Sequence, residues 1–118
     1  MFQIEKQDQA VILVPQRDLR EFEFGEIEDE GSDVLRMIDQ GEAQSVIVDF
    51  QKTDYYGSTA LSFFVKLWKR VRANGGKMAF CNVSAHELEI LEMTKLDNLW
   101  SLCSTRDEAL RDILRRET

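Results

Sequence analysis

The chain has 118 residues, a length that fits one compact domain burying about 65% of its unfolded surface, enough for a single core without metal or disulfide staples. With 43% hydrophobic and 31% charged residues, its composition is that of a globular protein and excludes disordered and fibrous classes. Acidic residues number 22 against 15 basic ones, and the formal charge of -7 would repel nucleic acid and anionic membrane, leaving proteins or small molecules as the expected partners.

In chain order, residues 2–6 and 10–14 read as two short strands that pair as a hairpin, the second ended by Pro15, which cannot donate to a central ladder. An acidic region follows, with Glu21, Glu23, Glu26, Glu28, Asp29 and Glu30 ahead of Val34, Leu35 and Ile38 at helical spacing. The spacing predicts a helix over about 26–40, stopped by Gly41. The run 45–50 is continuous and β-branched, as expected for a strand covered on both faces at the centre of a sheet. After a turn at Gly57 comes an amphipathic helix, with Leu61, Phe64, Val65, Trp68 and Val71 on the apolar face. Its opposite stripe is Ser62, Lys66, Lys69, Arg70 and Ala73, and Asn74-Gly75-Gly76 ends it. Residues 77–81 form another buried strand, which makes 45–82 a βαβ unit with parallel strands.

Ser84-Ala85-His86-Glu87 and Thr105-Arg106-Asp107-Glu108 both have the Ser/Thr-x-x-Glu form that satisfies free backbone N–H groups at a helix start. Two more helices begin there, one through Leu88 and Leu91 to about Met93, the other with Ala109, Leu110, Ile113 and Leu114 on one face. Between them, 99–103 is an edge strand or irregular. The expected fold is α/β, a mixed sheet of four to five strands packed against about four helices, with 1–118 as a single domain.

No apolar run approaches the roughly 20 residues of a membrane span, and the first residues lack the pattern of a signal peptide, so a cytosolic location is expected. Cys81 and Cys103 lie in apolar or strand-like surroundings without CxxC spacing and read as reduced thiols rather than metal ligands. With one histidine, His86, inside a helix start, no Ser/His/Asp order, phosphate-cradling loop or paired carboxylate stands out, so an enzyme and a cofactor are not expected. The acidic run has no calcium-loop spacing and reads as solvated surface.

The chemistry concentrates at Gly57-Ser58-Thr59, where two hydroxyls meet a helix N-terminus whose first N–H groups have no intrahelical partner. Such a place suits helix capping, worth about 1 kcal/mol, or phosphate. Tyr55 and Tyr56 just before it are either exposed anchors for a partner or packing under the loop. Lys66, Lys69 and Arg70 are either a solvated stripe or a surface for an acidic partner.

The order of hairpin, helix, apolar strand ending Val46-Ile47-Val48-Asp49-Phe50, turn, Gly57-Ser58-Thr59-Ala60-Leu61 at a helix start, Gly-Gly, strand and helix resembles a STAS domain, the domain of anti-anti-sigma factors. Ser104-Thr105-Arg106-Asp107-Glu108-Ala109-Leu110 supports the resemblance, which covers nearly the whole chain. It implies an anti-sigma factor antagonist that binds a serine kinase of the histidine-kinase-like ATPase fold, itself an anti-sigma factor, and is reset by a serine phosphatase. Ser58 matches the family's phosphorylated serine, with Thr59 as the neighbouring alternative. Asp49, Tyr55, Tyr56, Gly57, Thr59 and Ser62 are expected around it at the partner surface. Three positions depart from the family motif: Gly57 replaces Asp, Ala60 replaces Gly, and Ser62 replaces a small residue. Two other readings stay open: a non-phosphorylated scaffold subunit of a signalling or transporter complex, and a phosphate- or nucleotide-binding module. An apolar edge would admit a homodimer.

Overall fold

Local patterning and long-range pairing agree along most of the chain. A computed structural model describes residues 2–19 and 24–114, so Glu21 and Glu23 of the acidic run, and the side chain of Leu114, lie outside the described part. The elements are β1 (Phe2–Gln7), β2 (Ala10–Pro15), α1 (Phe24–Asp39), β3 (Ser45–Asp49), α2 (Ser58–Ala73), β4 (Met78–Cys81), α3 (Ala85–Met93), β5 (Ser101–Cys103) and α4 (Arg106–Leu114). The strands form one five-stranded sheet in the order β1-β2-β3-β4-β5. β1 and β2 are the antiparallel hairpin, and every later pairing is parallel. β3 is therefore central, and all five of its residues are buried, which is why its sequence is apolar without alternation.

The sheet separates two cores. Val11, Leu13, Val46, Val48, Met78 and Phe80 point to one face, where Ile27, Val34 and Ile38 of α1 and the apolar side of α2 cover them. Ala10, Ile12, Val14, Ile47, Ala79 and Cys81 point to the other, covered by Ala109, Leu110 and Ile113 of α4. At one end of the first core Phe50, Tyr56, Phe64 and Phe80 meet edge to face, with Phe50 at 4.9 Å from Phe80 and 5.3 Å from Tyr56 between ring centroids. Such contacts add about 0.5–1.5 kcal/mol each beyond the area they bury.

The face that α2 buries differs from the one read from the sequence. Ala60, Leu61, Phe63, Phe64, Leu67 and Val71 are buried, whereas Val65 and Trp68 are half-buried. The reason is α1, which flanks α2 and widens its covered side: Phe63 stacks on Phe2 at 6.2 Å, and a Cβ on Gly31 of α1 would meet the Phe63 ring at 2.2 Å. Beyond α2, Gly76 passes so close to the neighbouring chain that a Cβ there would lie 1.7 Å from the Gln44 carbonyl oxygen. Only glycine fits, and it lets β4 start beside β3. The capping box at Ser84 is complete, with the Ser84 hydroxyl accepting from the Glu87 amide and the Glu87 carboxylate accepting from the Ser84 amide, both at 3.0 Å. At α4 the Thr105 hydroxyl accepts from the Glu108 amide at 3.1 Å.

Candidate functional site

The candidate site lies at the carboxyl end of the parallel strands, where β3 passes through residues 50–57 into α2. Gly57 is the N-cap, with φ -93° and ψ 180°, and has no side chain with which to cap. Ser58 is therefore the first residue inside the helix, not its cap, and it is exposed, while Thr59 behind it is half-buried. The helix closes its first turn with the Leu61 amide on the Gly57 carbonyl at 3.1 Å.

Two depressions meet at Ser58. One, of about 250 Å³, is lined by Glu28, Ser58, Thr59, Ser62, Phe63 and Lys66. The other, of about 350 Å³, is lined by Ser58, Leu61, Ser62, Val65, Thr94 and Leu96 and is mostly apolar. Ser62, one turn along, is exposed and belongs to both. The exposed Ser58 hydroxyl thus stands on a fixed helix start between two shallow hollows, the smaller of them bordered by Glu28 and Lys66.

The segment leading to Ser58 is held on both sides. On one side the Leu19 amide donates to the Tyr55 carbonyl at 3.2 Å, the Gly57 amide to the Leu19 carbonyl at 2.8 Å, and the Asp54 amide to Asp18 Oδ1 at 2.8 Å. On the other, Thr53 Oγ1 donates to Glu87 Oε2 at 2.7 Å and the Tyr56 hydroxyl donates to the Glu87 carbonyl at 2.8 Å. Along the sequence Glu87 shows only as a local cap. Its pairing with Thr53, 34 residues away, has no signal along the chain.

Two expected rim residues are instead interior. Asp49 is 1% exposed, because its carboxylate ends the central strand and gathers four donors. These are the Gln51 amide at 3.1 Å, Gln51 Nε2 at 3.1 Å, Asn82 Nδ2 at 2.9 Å and Arg106 Nε at 3.0 Å. Arg106 also reaches Glu5 Oε1 at 3.2 Å, so the network ties α4 and β1 to the centre of the sheet. A buried carboxylate is tolerable only when satisfied in this way. Tyr56 is likewise 1% exposed, its ring in the aromatic cluster and its phenol pushed upward in pKa by burial and then by Glu87. Tyr55 does stay half-buried at the surface, its ring 5.7 Å from exposed His86. Gly57 is buried and contributes backbone only. Of the basic stripe, Lys66 and Lys69 are exposed, and Arg70 is committed to Asp39 of α1.

No group of three or more potential metal ligands occurs among the described residues, and no described helix is long and apolar enough to cross a membrane.

The family model for the STAS domain matches residues 1–109. An anti-sigma-factor antagonist (STAS) domain protein from Planctomyces limnophilus is 29% identical, the match covering 97% of this chain and 98% of that one, with a TM-score of 0.81. The anti-sigma factor antagonist SpoIIAA in its unphosphorylated form is 18% identical over 100% of both chains, with a TM-score of 0.83. The Bacillus cell fate determinant SpoIIAA in its phosphorylated form is 19% identical over 96% of this chain and 99% of that one, at 0.73.

Proposed function

The chain belongs to the STAS domain family, and we propose that it acts there as an anti-sigma factor antagonist: a regulator that binds a serine kinase, itself an anti-sigma factor, through the start of α2 and is switched by phosphorylation of Ser58. The observation that carries this reading is the exposure of Ser58 at the first residue of α2, on a segment tied down from both sides. Support also comes from SpoIIAA, a structural relative known in both an unphosphorylated and a phosphorylated form.

The chemistry is simple. The Ser58 oxygen attacks the γ-phosphorus of ATP held by the kinase, an O–P bond forms as ADP leaves, and the hydroxyl proton passes to a base. The product carries about -1.5 to -2 charges and sits where helix N–H groups and dipole favour an anion. No refolding is needed. The effect falls on the partner, whose surface fitted to a neutral hydroxyl would meet a dianion, and a serine phosphatase would restore the first state.

Binding measurements test this. Ser58→Ala should hold a kinase of the histidine-kinase-like ATPase fold from the same genome about as tightly as wild type, and Ser58→Glu should bind at least tenfold more weakly. Equal affinity of both variants would overturn the switch. Gly57 favours one second reading, because the motif's carboxylate is missing beside the serine. In it the same surface works as an unmodified scaffold, and the kinase binds without transferring phosphate.

A further inference from the structure

Glu87 does more than its cap requires. The capping box uses Oε1, which accepts the Ser84 amide at 3.0 Å, yet Oε2 accepts the Thr53 hydroxyl at 2.7 Å and the Glu87 carbonyl accepts the Tyr56 phenol at 2.8 Å. The Ser84 hydroxyl also donates to the Asp54 carbonyl at 3.4 Å. The start of α3 thus holds three of the residues that lead to Ser58. The Glu87 side chain is 0% exposed, and burial pushes its pKa up against the opposing bonds from Ser84 and Thr53. An exposed glutamate would cap a helix equally well without that penalty. What the buried position adds is the bond to Thr53.

We propose that Glu87 is a positioning residue for Ser58, clamping the 51–57 segment through Thr53 and Tyr56 so that the first turn of α2 is presented in one conformation to the partner. The proposal rests on Ser58 being the working residue, and it makes α3 part of the site without requiring that α3 touch the partner.

The test uses the full chain and separates clamping from general stability. Thr53→Val removes the hydroxyl at nearly constant volume and leaves the Ser84–Glu87 box intact, while Thr53→Ser keeps the hydroxyl. Amide hydrogen exchange at Thr53, Asp54 and Gly57 should rise about tenfold in Thr53→Val and stay near wild type in Thr53→Ser, with the amides of β3 and β4 unchanged in both. Glu87→Leu, which fills the buried space without oxygens, should loosen the same amides; if it does not fold, the Thr53 pair decides alone. Ser58 phosphorylation by the kinase should slow severalfold in Thr53→Val and recover in Thr53→Ser. Unchanged exchange in Thr53→Val, or acceleration spread evenly over the whole sheet, would overturn the clamp. Selective loosening in a chain whose wild type is never phosphorylated would uphold the clamp and remove the phosphorylation switch.

Discussion

The two faces of the sheet are built to different standards. Helices α1 and α2 cover one face with large aromatic and branched side chains, and the rings of Phe50, Tyr56, Phe64 and Phe80 converge directly beneath the segment that carries Ser58. Among the described residues, helix α4 covers the other, over smaller residues such as Ala10, Ala79 and Cys81. The heavy packing lies beneath the proposed site. The lighter face is anchored instead by polar chemistry, the Asp49–Arg106 pair, which also holds Glu5.

Substitutions can break this comparison. Phe50→Ala should cost about 3–5 kcal/mol in urea unfolding, since the ring is 1% exposed and packs against Tyr56, Phe64 and Phe80. Ile113→Ala on the α4 face should cost less, about 2 kcal/mol, because that residue is 7% exposed, is smaller than phenylalanine and lies near the end of its helix. Equal losses would show that the two faces contribute alike.

A pH series sharpens the account of the α3 clamp. Burial raises the pKa of Glu87 in the folded state, and the nearby Asp54 carboxylate acts in the same direction. Its contribution to stability is therefore full below the ordinary value of 4.5 and is lost as pH rises through the higher folded-state value. Relative to wild type, Glu87→Gln should gain in melting temperature from acid to neutral pH. A difference independent of pH would contradict a carboxylate strained by burial.

The smallest effect concerns the thiols. Burial, with Asp49 adding to it, pushes Cys81 up to about 12, while Cys103 on the edge strand β5 is raised less and partly exposed. A thiol reagent at pH 8 should label Cys103 first and Cys81 only as fast as the α4 face opens. Simultaneous labelling would mean that this face is looser than its packing implies.

Much of the fold was legible in the sequence because its signals are local. The apolar run at 45–50, the Gly75-Gly76 stop and the Ser84-x-x-Glu87 box each announce themselves within a few residues, and parallel pairing of β3 with β4 follows from the helix between them. The exposed place of Ser58 at the start of α2 was legible too, from the Gly57 turn and the amphipathic run after it. What failed needed the third dimension: Asp49 looks like a surface carboxylate until Arg106, 57 residues on, is folded against it. Tyr56 reads equally as a surface anchor or as packing under the loop, and only Phe50 and Phe64 closing around it decide for packing. The buried face of α2 was set partly by α1, which no periodicity within α2 can reveal, and Thr53 carries no pattern that would single it out.

The most direct measurement is the intact mass of wild type and Ser58→Ala after incubation with ATP and the kinase. The account predicts one phosphoryl group on wild type, mapped to Ser58 by fragmentation, and none on Ser58→Ala. A wild type that binds the kinase yet remains unmodified, or a phosphate that persists in Ser58→Ala, would contradict it.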